Sequence, residues 1–220
     1  DNNARGAAYF YEKDVTGLWI EKQKLIPPVV LFDVENFGSS VTIFKNRLII
    51  VAPRDNHDAF ESNPIFETGS AYVFERDISG TWIYINQKLV APIRSQDDFF
   101  GTSIVCSEEN VFISSFRNDY NINENGFIND AGAVYVFDID TMGKFFLKQK
   151  IVSSNRILNG FFGLSMAATN DYILIGESGD GLNPTTSPHS GAAYIYTKDA
   201  NSGLWVEHQK LTPSDGQNAD

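Results

Sequence analysis

Three stretches of this chain hold the residue types from which a polar recognition site is built. Arg54, Asp55, His57 and Asp58 lie together, Arg117, Asp119 and Tyr120 form a second group, and Asp180 and His189 belong to a third. Carboxylates, guanidinium groups, imidazoles and a phenol in loops suit a polar partner such as a glycan or another protein surface. They suit catalysis less well. Three histidines in 220 residues do not allow a Ser-His-Asp arrangement to be assigned, and His57 and His189 are far apart along the chain. No HExxH motif, Walker-type loop or dinucleotide fingerprint is present. Glu108 and Glu109 are adjacent, so their side chains diverge, and they read as a solvated turn. The single cysteine, Cys106, permits neither an internal disulfide nor a Cys-based metal site and reads as a small apolar strand residue. The expectation is a binding protein and not an enzyme.

Composition narrows the partner. A net charge of −11 argues against nucleic acid and against anionic membrane surfaces, which both require a basic face. No apolar run approaches the roughly 18 residues that span a bilayer, so no membrane insertion is expected. Apolar residues make up 42% of the chain and charged residues 20%, which is enough to form a core. Phe and Tyr are abundant beside β-branched residues, a composition that favours strands.

The elements that must position the polar groups come from a repeat. Gly6-Ala7-Ala8-Tyr9-Phe10-Tyr11 returns at Gly69–Phe74, Gly132–Phe137 and Gly191–Tyr196. Gln23-Lys24-Leu25 returns at Gln87, Gln149 and Gln209, and Phe37-Gly38 at Phe100 and Phe162. Three markers in fixed order at a period of about 60 residues indicate stacked supersecondary units. Within one unit, residues 37–44 and 47–52 read as strands around a Lys45-Asn46 turn, and the second is apolar throughout, as a strand buried on both faces would be. Residues 70–75 and 81–89 follow as the third and fourth strands. The later units match over 100–107, 111–115, 133–138 and 144–151, and over 162–168, 172–176, 192–197 and 204–211. No amphipathic helix is visible. Four antiparallel strands per unit predict an all-β β-propeller in preference to a β-sandwich, which does not repeat its sequence every four strands.

In a four-stranded meander the 2→3 and 4→1 connections emerge on one face. The 2→3 loops, residues 53–68, 115–131 and 177–190, are the longest in each unit and carry all nine polar residues named above. Loops of that length are often functional. The recurrent tyrosines, Tyr9, Tyr72, Tyr135 and Tyr194, are expected to stack between units, and Trp19, Trp82 and Trp205 to pack. The Gln-Lys-Leu ends place Leu25, Leu89, Ile151 and Leu211 in the core with the lysines outward. The recurrent glycines answer a tight approach or a positive φ.

Phe37-Gly38-Ser39-Ser40-Val41, then Val51-Ala52-Pro53, then Gly69–Phe74 resembles the FG-GAP repeat, which builds the seven-bladed propellers of integrin α subunits and of many secreted bacterial proteins. The Asp-x-x-Gly turn before Trp resembles the shorter bacterial versions. The integrin-like form carries calcium in the first hairpin, on an Asp-x-Asp-x-Asp-Gly type loop. The corresponding segments here, 44–47, 107–110 and 169–171, are too short and too poor in carboxylates, so no cofactor or metal is expected there. The acidic stretches 119–130 and 177–180 read as solvated loops.

The chain thus divides into a half blade at 5–26 and blades at 37–90, 99–152 and 161–212, which is 3.5 blades. Propellers close with about four to eight blades. The remaining blades are expected in cis, or else from a second copy of the chain whose half blade would complement the first. The resemblance implies an extracellular or cell-surface module that binds a protein partner, by adhesion, through the 2→3 loop face. A lectin-like, carbohydrate-binding propeller and a structural repeat of a large surface or filament protein are the alternatives.

Overall fold

The computed structural model describes residues 6–28, 35–179 and 191–214. Among them are fourteen strands and no helix: β1 (Ala8–Lys13), β2 (Trp19–Leu25), β3 (Val41–Phe44), β4 (Arg47–Ala52), β5 (Ser70–Arg76), β6 (Trp82–Leu89), β7 (Ile104–Cys106), β8 (Val111–Ser115), β9 (Ala133–Ile139), β10 (Phe145–Ile151), β11 (Phe162–Ala168), β12 (Tyr172–Glu177), β13 (Ala192–Lys198) and β14 (Trp205–Leu211). They form one two-stranded sheet, β1-β2, and three four-stranded antiparallel meanders, β3-β4-β5-β6, β7-β8-β9-β10 and β11-β12-β13-β14. The first strands run side by side, β3 beside β7 and β7 beside β11, so they are the inner strands of consecutive propeller blades.

The second and third strands are apolar on both faces because each blade is sandwiched. Ile49 and Val51 of blade 1 pack into one cluster with Ile113, Tyr135 and Phe137 of blade 2, while Ile50 and Tyr72 face the other way onto Leu25 of the half blade. The pattern repeats between blades 2 and 3, where Phe112, Val134 and Ile151 meet Ile175, Tyr194 and Trp205. Each third-to-fourth strand pairing carries a bulge, at Phe10/Tyr11, Val73/Phe74, Leu147/Gln149 and Ile195/Tyr196. The bulge twists the outer edge.

Two recurrent contacts join the blades. The first is a parallel backbone bridge from the glycine before a third strand to the phenylalanine of the next blade: Gly6 to Phe37, Gly69 to Phe100, Gly132 to Phe162. A Cβ on these glycines would lie 2.0, 2.1 and 2.3 Å from the phenylalanine carbonyl oxygen. Their φ angles of 82°, 83° and 86° are also left-handed, so both demands that call for glycine hold at once. The phenylalanine ring then packs edge-on or tilted against a tyrosine of its own third strand, with centroids 5.7, 5.5 and 5.4 Å apart for Phe37–Tyr72, Phe100–Tyr135 and Phe162–Tyr194.

The second contact is an amide clamp near the outer rim. The Gln23 side chain donates to the Trp82 carbonyl and accepts from the Trp82 N–H, both at 2.8 Å. Gln87 clamps Phe145 in the same way at 2.8 and 3.2 Å, and Gln149 clamps Trp205 at 2.7 and 2.9 Å. A side-chain amide thus stands in for a ladder rung between the outer strands of neighbouring sheets.

Three expectations are corrected. Phe37 and Phe100 do not open their first strands, which begin at Val41 and Ile104. The left-handed Gly38 and Gly101 bend the chain there; their N–H groups already bond the Val51 and Ser114 carbonyls, but regular pairing starts only after the bend. Lys88 and Lys150 do not point outward; Lys88 is buried and Lys150 nearly so at its side chain, and each lies over the ring of the tyrosine opposite it. Trp19 and Tyr9 do not pack as their counterparts do: Trp82 and Trp205 are buried, whereas Trp19 is 66% and Tyr9 51% exposed.

Gly69→Ala should destabilise the fold by about 3 kcal/mol or more, from the φ penalty plus a carbonyl collision. Gly17→Ala, at a similar φ of 88° but with nothing within 4 Å, should cost only about 1 kcal/mol. Urea unfolding of the two variants measures the difference.

Candidate ligand-binding face

The long 2→3 loops gather on one face, and buried polar groups at their bases hold them. In blade 1, Asp55 is fully buried. Its carboxylate accepts from the Ser70 hydroxyl at 2.5 Å, the Tyr72 hydroxyl at 2.7 Å and the His57 N–H at 2.9 Å. The Lys88 ammonium lies 2.8 Å from Asp55 and 2.7 Å from Glu61, so the loop and the fourth strand share one buried ion pair. Burial, with the Asp55 charge beside it, holds the Tyr72 phenol well above the usual range.

Blades 2 and 3 solve the same problem with other residues. In blade 2 the position of Asp55 is Asn118 and that of Ser70 is Ala133. Among the described residues the Tyr135 hydroxyl then has no hydrogen-bond partner, and burial raises its pKa. Asn118 donates to the buried Asp98 at 3.3 Å, whose other oxygen accepts the Ser95 N–H at 2.8 Å. Burial pushes the Asp98 carboxyl up to about 7. Lys150 reaches Glu124 of the long loop at 2.8 Å. In blade 3, Glu177 takes the acidic role and accepts from the Tyr194 hydroxyl at 2.7 Å.

The 4→1 connections lace the loops from the side. Arg94 donates to the carbonyls of Asn56 and Asn63 at 3.2 and 2.7 Å. Arg156 does the same to Gly126 and Asp119 at 2.8 and 2.7 Å. The Phe99 N–H binds the Glu67 carbonyl and the Phe161 N–H that of Asp130, at 3.1 and 2.9 Å. Phe99 and Phe161 are held at φ 50° and 55°, strained for phenylalanine. Their rings join Phe116 in a row, with centroids 5.7 Å apart at both steps. Arg54 and Arg117 lie over Phe99 at 6.0 and 5.4 Å, and Arg117 also lies 5.6 Å from Phe116. The result is an arginine-aromatic ladder that crosses three blades.

The structure sorts the residues singled out in the sequence. Arg54 and Arg117 stand on the ladder, and Arg54 also pairs with Glu67 at 3.4 Å. Tyr120 packs edge-on against Phe127 at 5.7 Å. Asp58 accepts from Phe60, Ser62 and Asn63, with the Asn63 bond the largest cause holding its carboxyl well below the usual range; it shapes the loop tip. Asp119 accepts the Asp130 N–H at 2.8 Å. Asp55 and, largely, His57 belong to the base of the loop and not to its surface, because Lys88 draws the carboxylates inward. Asp180 and His189 lie outside the described residues. Sequence reasoning missed Phe99, Phe116 and Phe161; Phe99-Phe100-Gly101 and Phe161-Phe162-Gly163 carry the signal, a doubled phenylalanine that the first copy lacks.

Among the described residues, one cluster could offer three ligands to a metal: Asp55, His57 and Glu61, whose donor atoms all lie within 4.8 Å of one another. The Lys88 ammonium occupies the cationic position beside two of them. The donor set therefore does not fit a divalent ion unless the lysine leaves.

Residues 145–196 match the family model of the FG-GAP repeat. The matched stretch runs from the start of β10 into β13. No curated protein sequence matches the chain. Among solved structures, one of a protein from Lactobacillus plantarum aligns at 12% identity and a TM-score of 0.38 over 95% of this chain and 66% of that one. This chain thus spans just under two thirds of the Lactobacillus protein. One of a protein of unknown function from Bacteroides fragilis aligns at 11% identity and a TM-score of 0.27, over 95% and 94% of the two chains.

Two variants check the account of the loop bases. The folded state retains the Asp98 proton up to about pH 7, whereas the unfolded chain releases it near the ordinary carboxylate value. Stability should therefore fall as pH rises from roughly 4 to 7, and the loss is complete above that. Asp98→Asn should flatten this slope and raise stability at pH 8 by about 2–4 kcal/mol, as read by urea unfolding at both ends of the range. Lys88→Met, which strands the buried Asp55 carboxylate and leaves the partly buried Glu61 unpaired, should cost about 3–5 kcal/mol at pH 7.

Proposed function

We propose that this FG-GAP-repeat propeller is a non-catalytic binding module, working outside the cell or at its surface, whose 2→3 loop face engages another protein. The observation that carries this reading is that loops long enough to wander are tied down along their length, by Lys88 and Arg94 in blade 1 and by Lys150 and Arg156 in blade 2. Ordering a loop before its partner arrives removes that entropy from the cost of binding.

The held loops present apolar side chains to solvent. Phe60 is 89% and Phe127 60% exposed, with Phe66 and Ile122 also exposed. Beside them runs the ladder of Arg54, Arg117, Phe99 and Phe116. Aromatic and arginine side chains in a rigid setting are the groups that dominate protein-protein interfaces. These exposed apolar tips favour a protein over a glycan, which would be gripped by polar groups that here are buried at Asp55 and spent on the loop's own backbone and side chains at Asp58. The opposite face also carries exposed apolar tips, at Val15, Ile78 and Met142, but these sit on short Asp-capped turns.

The test is binding to a panel of cell-surface and matrix ectodomains by interferometry, with a glycan array alongside. A protein hit is expected, weakened at least tenfold by Phe60→Ser and by Phe127→Ser with no shift in the thermal midpoint. Ile78→Ser and Met142→Ser should leave it unchanged. Loss of binding only in the latter pair, or signal on glycans alone, would overturn the reading.

A further inference from the structure

The ion pair at the base of the blade 1 loop has the composition of a reacting site. Lys88 enters from β6 with its side chain wholly out of solvent, and the Asp55 side chain it meets is 1% exposed. The Lys88 nitrogen lies 2.8 Å from Asp55 Oδ2 and 2.7 Å from Glu61 Oε2, above the Tyr72 ring at 5.2 Å. An amine nitrogen that close to a carboxyl oxygen stands beside the carboxyl carbon, near the roughly 3–3.5 Å from which an addition starts.

The groups around the pair divide into roles. Asp55 Oδ2 also accepts the Ser70 and Tyr72 hydroxyls, at 2.5 and 2.7 Å. Those donors sit where the charge of a tetrahedral intermediate would collect. Asp55 Oδ1 accepts the His57 backbone N–H at 2.9 Å, which holds the carboxyl from rotating. Glu61 touches the nitrogen, and its carboxylate lies within 4.8 Å of the donor atoms of Asp55 and His57. A base in that place can take protons from the amine and return them to a departing oxygen. The Glu61 side chain is 20% exposed, so the site has an edge on water. A dry interior penalises two ions far more than one neutral amide, which favours condensation over the ion pair.

We propose that Lys88 and Asp55 join in an intramolecular amide, formed by the folded protein itself with Glu61 moving the protons. The Lys88 nitrogen adds to Asp55 Cγ, and the bond from Cγ to Oδ1 breaks. Of the three ammonium protons one stays on the amide nitrogen. The other two pass through Glu61 to Oδ1, which leaves as water, and Glu61 ends as it began. Nothing is oxidised or reduced. The product staples the base of the long loop to the fourth strand. Blade 2 holds the contrast. Lys150 and Glu124 keep their relation at 2.8 Å, but Asn118 replaces Asp55 and donates to Asp98 at 3.3 Å, and Ala133 brings no hydroxyl. The reaction is therefore confined to blade 1.

The test is mass spectrometry of the 220-residue chain after it has folded. The intact mass should fall short of the sequence mass by one water. Trypsin cuts after Arg54, Arg76 and Arg94, and after Lys88 only where its amine is free. The digest should therefore contain residues 55–76 joined to residues 77–94, with fragment ions that place the link between Asp55 and Lys88. Lys88→Arg should restore the full mass. Glu61→Gln, which keeps the Lys88–Asp55 pair and should fold by circular dichroism, should slow formation of the link by about a hundredfold or more. Recovery of residues 77–88 in full from the folded chain would overturn the inference. So would a link from Lys88 to Glu61, a link at Lys150 in place of Lys88, or a link that forms equally fast in Glu61→Gln.

Discussion

Everything in this propeller hangs on a place where two backbones touch. At Gly6, Gly69 and Gly132 the chain comes so near the next blade's phenylalanine carbonyl that no side chain has room. The contact sets the spacing of the blades on the loop side, and the phenylalanine ring it delivers is buried against the tyrosine of its own third strand. The glutamine clamp sets the spacing again at the rim. With two points fixed, the apolar second and third strands between them pack on both faces.

The same contact reaches into the binding face. Phe99 and Phe161 precede the bridging phenylalanines, and their amides bind the long loop of the blade before. The loop is thereby caught between its own blade, through lysine and carboxylate, and the next, through this strap and an arginine. Buried charge is an expensive way to hold a loop if stability alone is the measure, since an apolar filling often does as well. What it supplies is position: Lys88 between Asp55 and Glu61 accepts few other geometries. Each blade arrives there with a different acid, Asp55, Asp98 or Glu177, so the scaffold is common while the loop above it is free to differ.

The sequence made the scaffold legible because the scaffold repeats. Gly-x-Ala-Tyr, Phe-Gly and Gln-Lys-Leu return in order, and a residue that returns is tied to the contact every blade must make. Strand types and blade order follow from that. The start of the first strand at Val41 was not legible, because Phe37-Gly38-Ser39-Ser40 reads as β-rich and only the bridge to Gly6 shows that it turns. The site was harder. Arg54 and Arg117 were found because they are charged and in long loops, but Asp55 looks like a surface carboxylate until Lys88, far along the chain, is seen beside it. Of the three phenylalanines of the ladder, Phe99 and Phe161 are marked only by the doubled phenylalanine before Gly101 and Gly163, and Phe116 carries no such mark.

On this structure the long loops are as fixed as the sheets beneath them. Hydrogen exchange resolved to single amides tests it. The amides of Ile65, Gly69, Phe99, Ile128 and Phe161 are bonded along the loops and their straps. They should be protected to within about tenfold of those of Ile50 and Ile113 in the second strands, and should open in the same global event. Exchange of these five at the rate of an open chain, with the strands still protected, would contradict it.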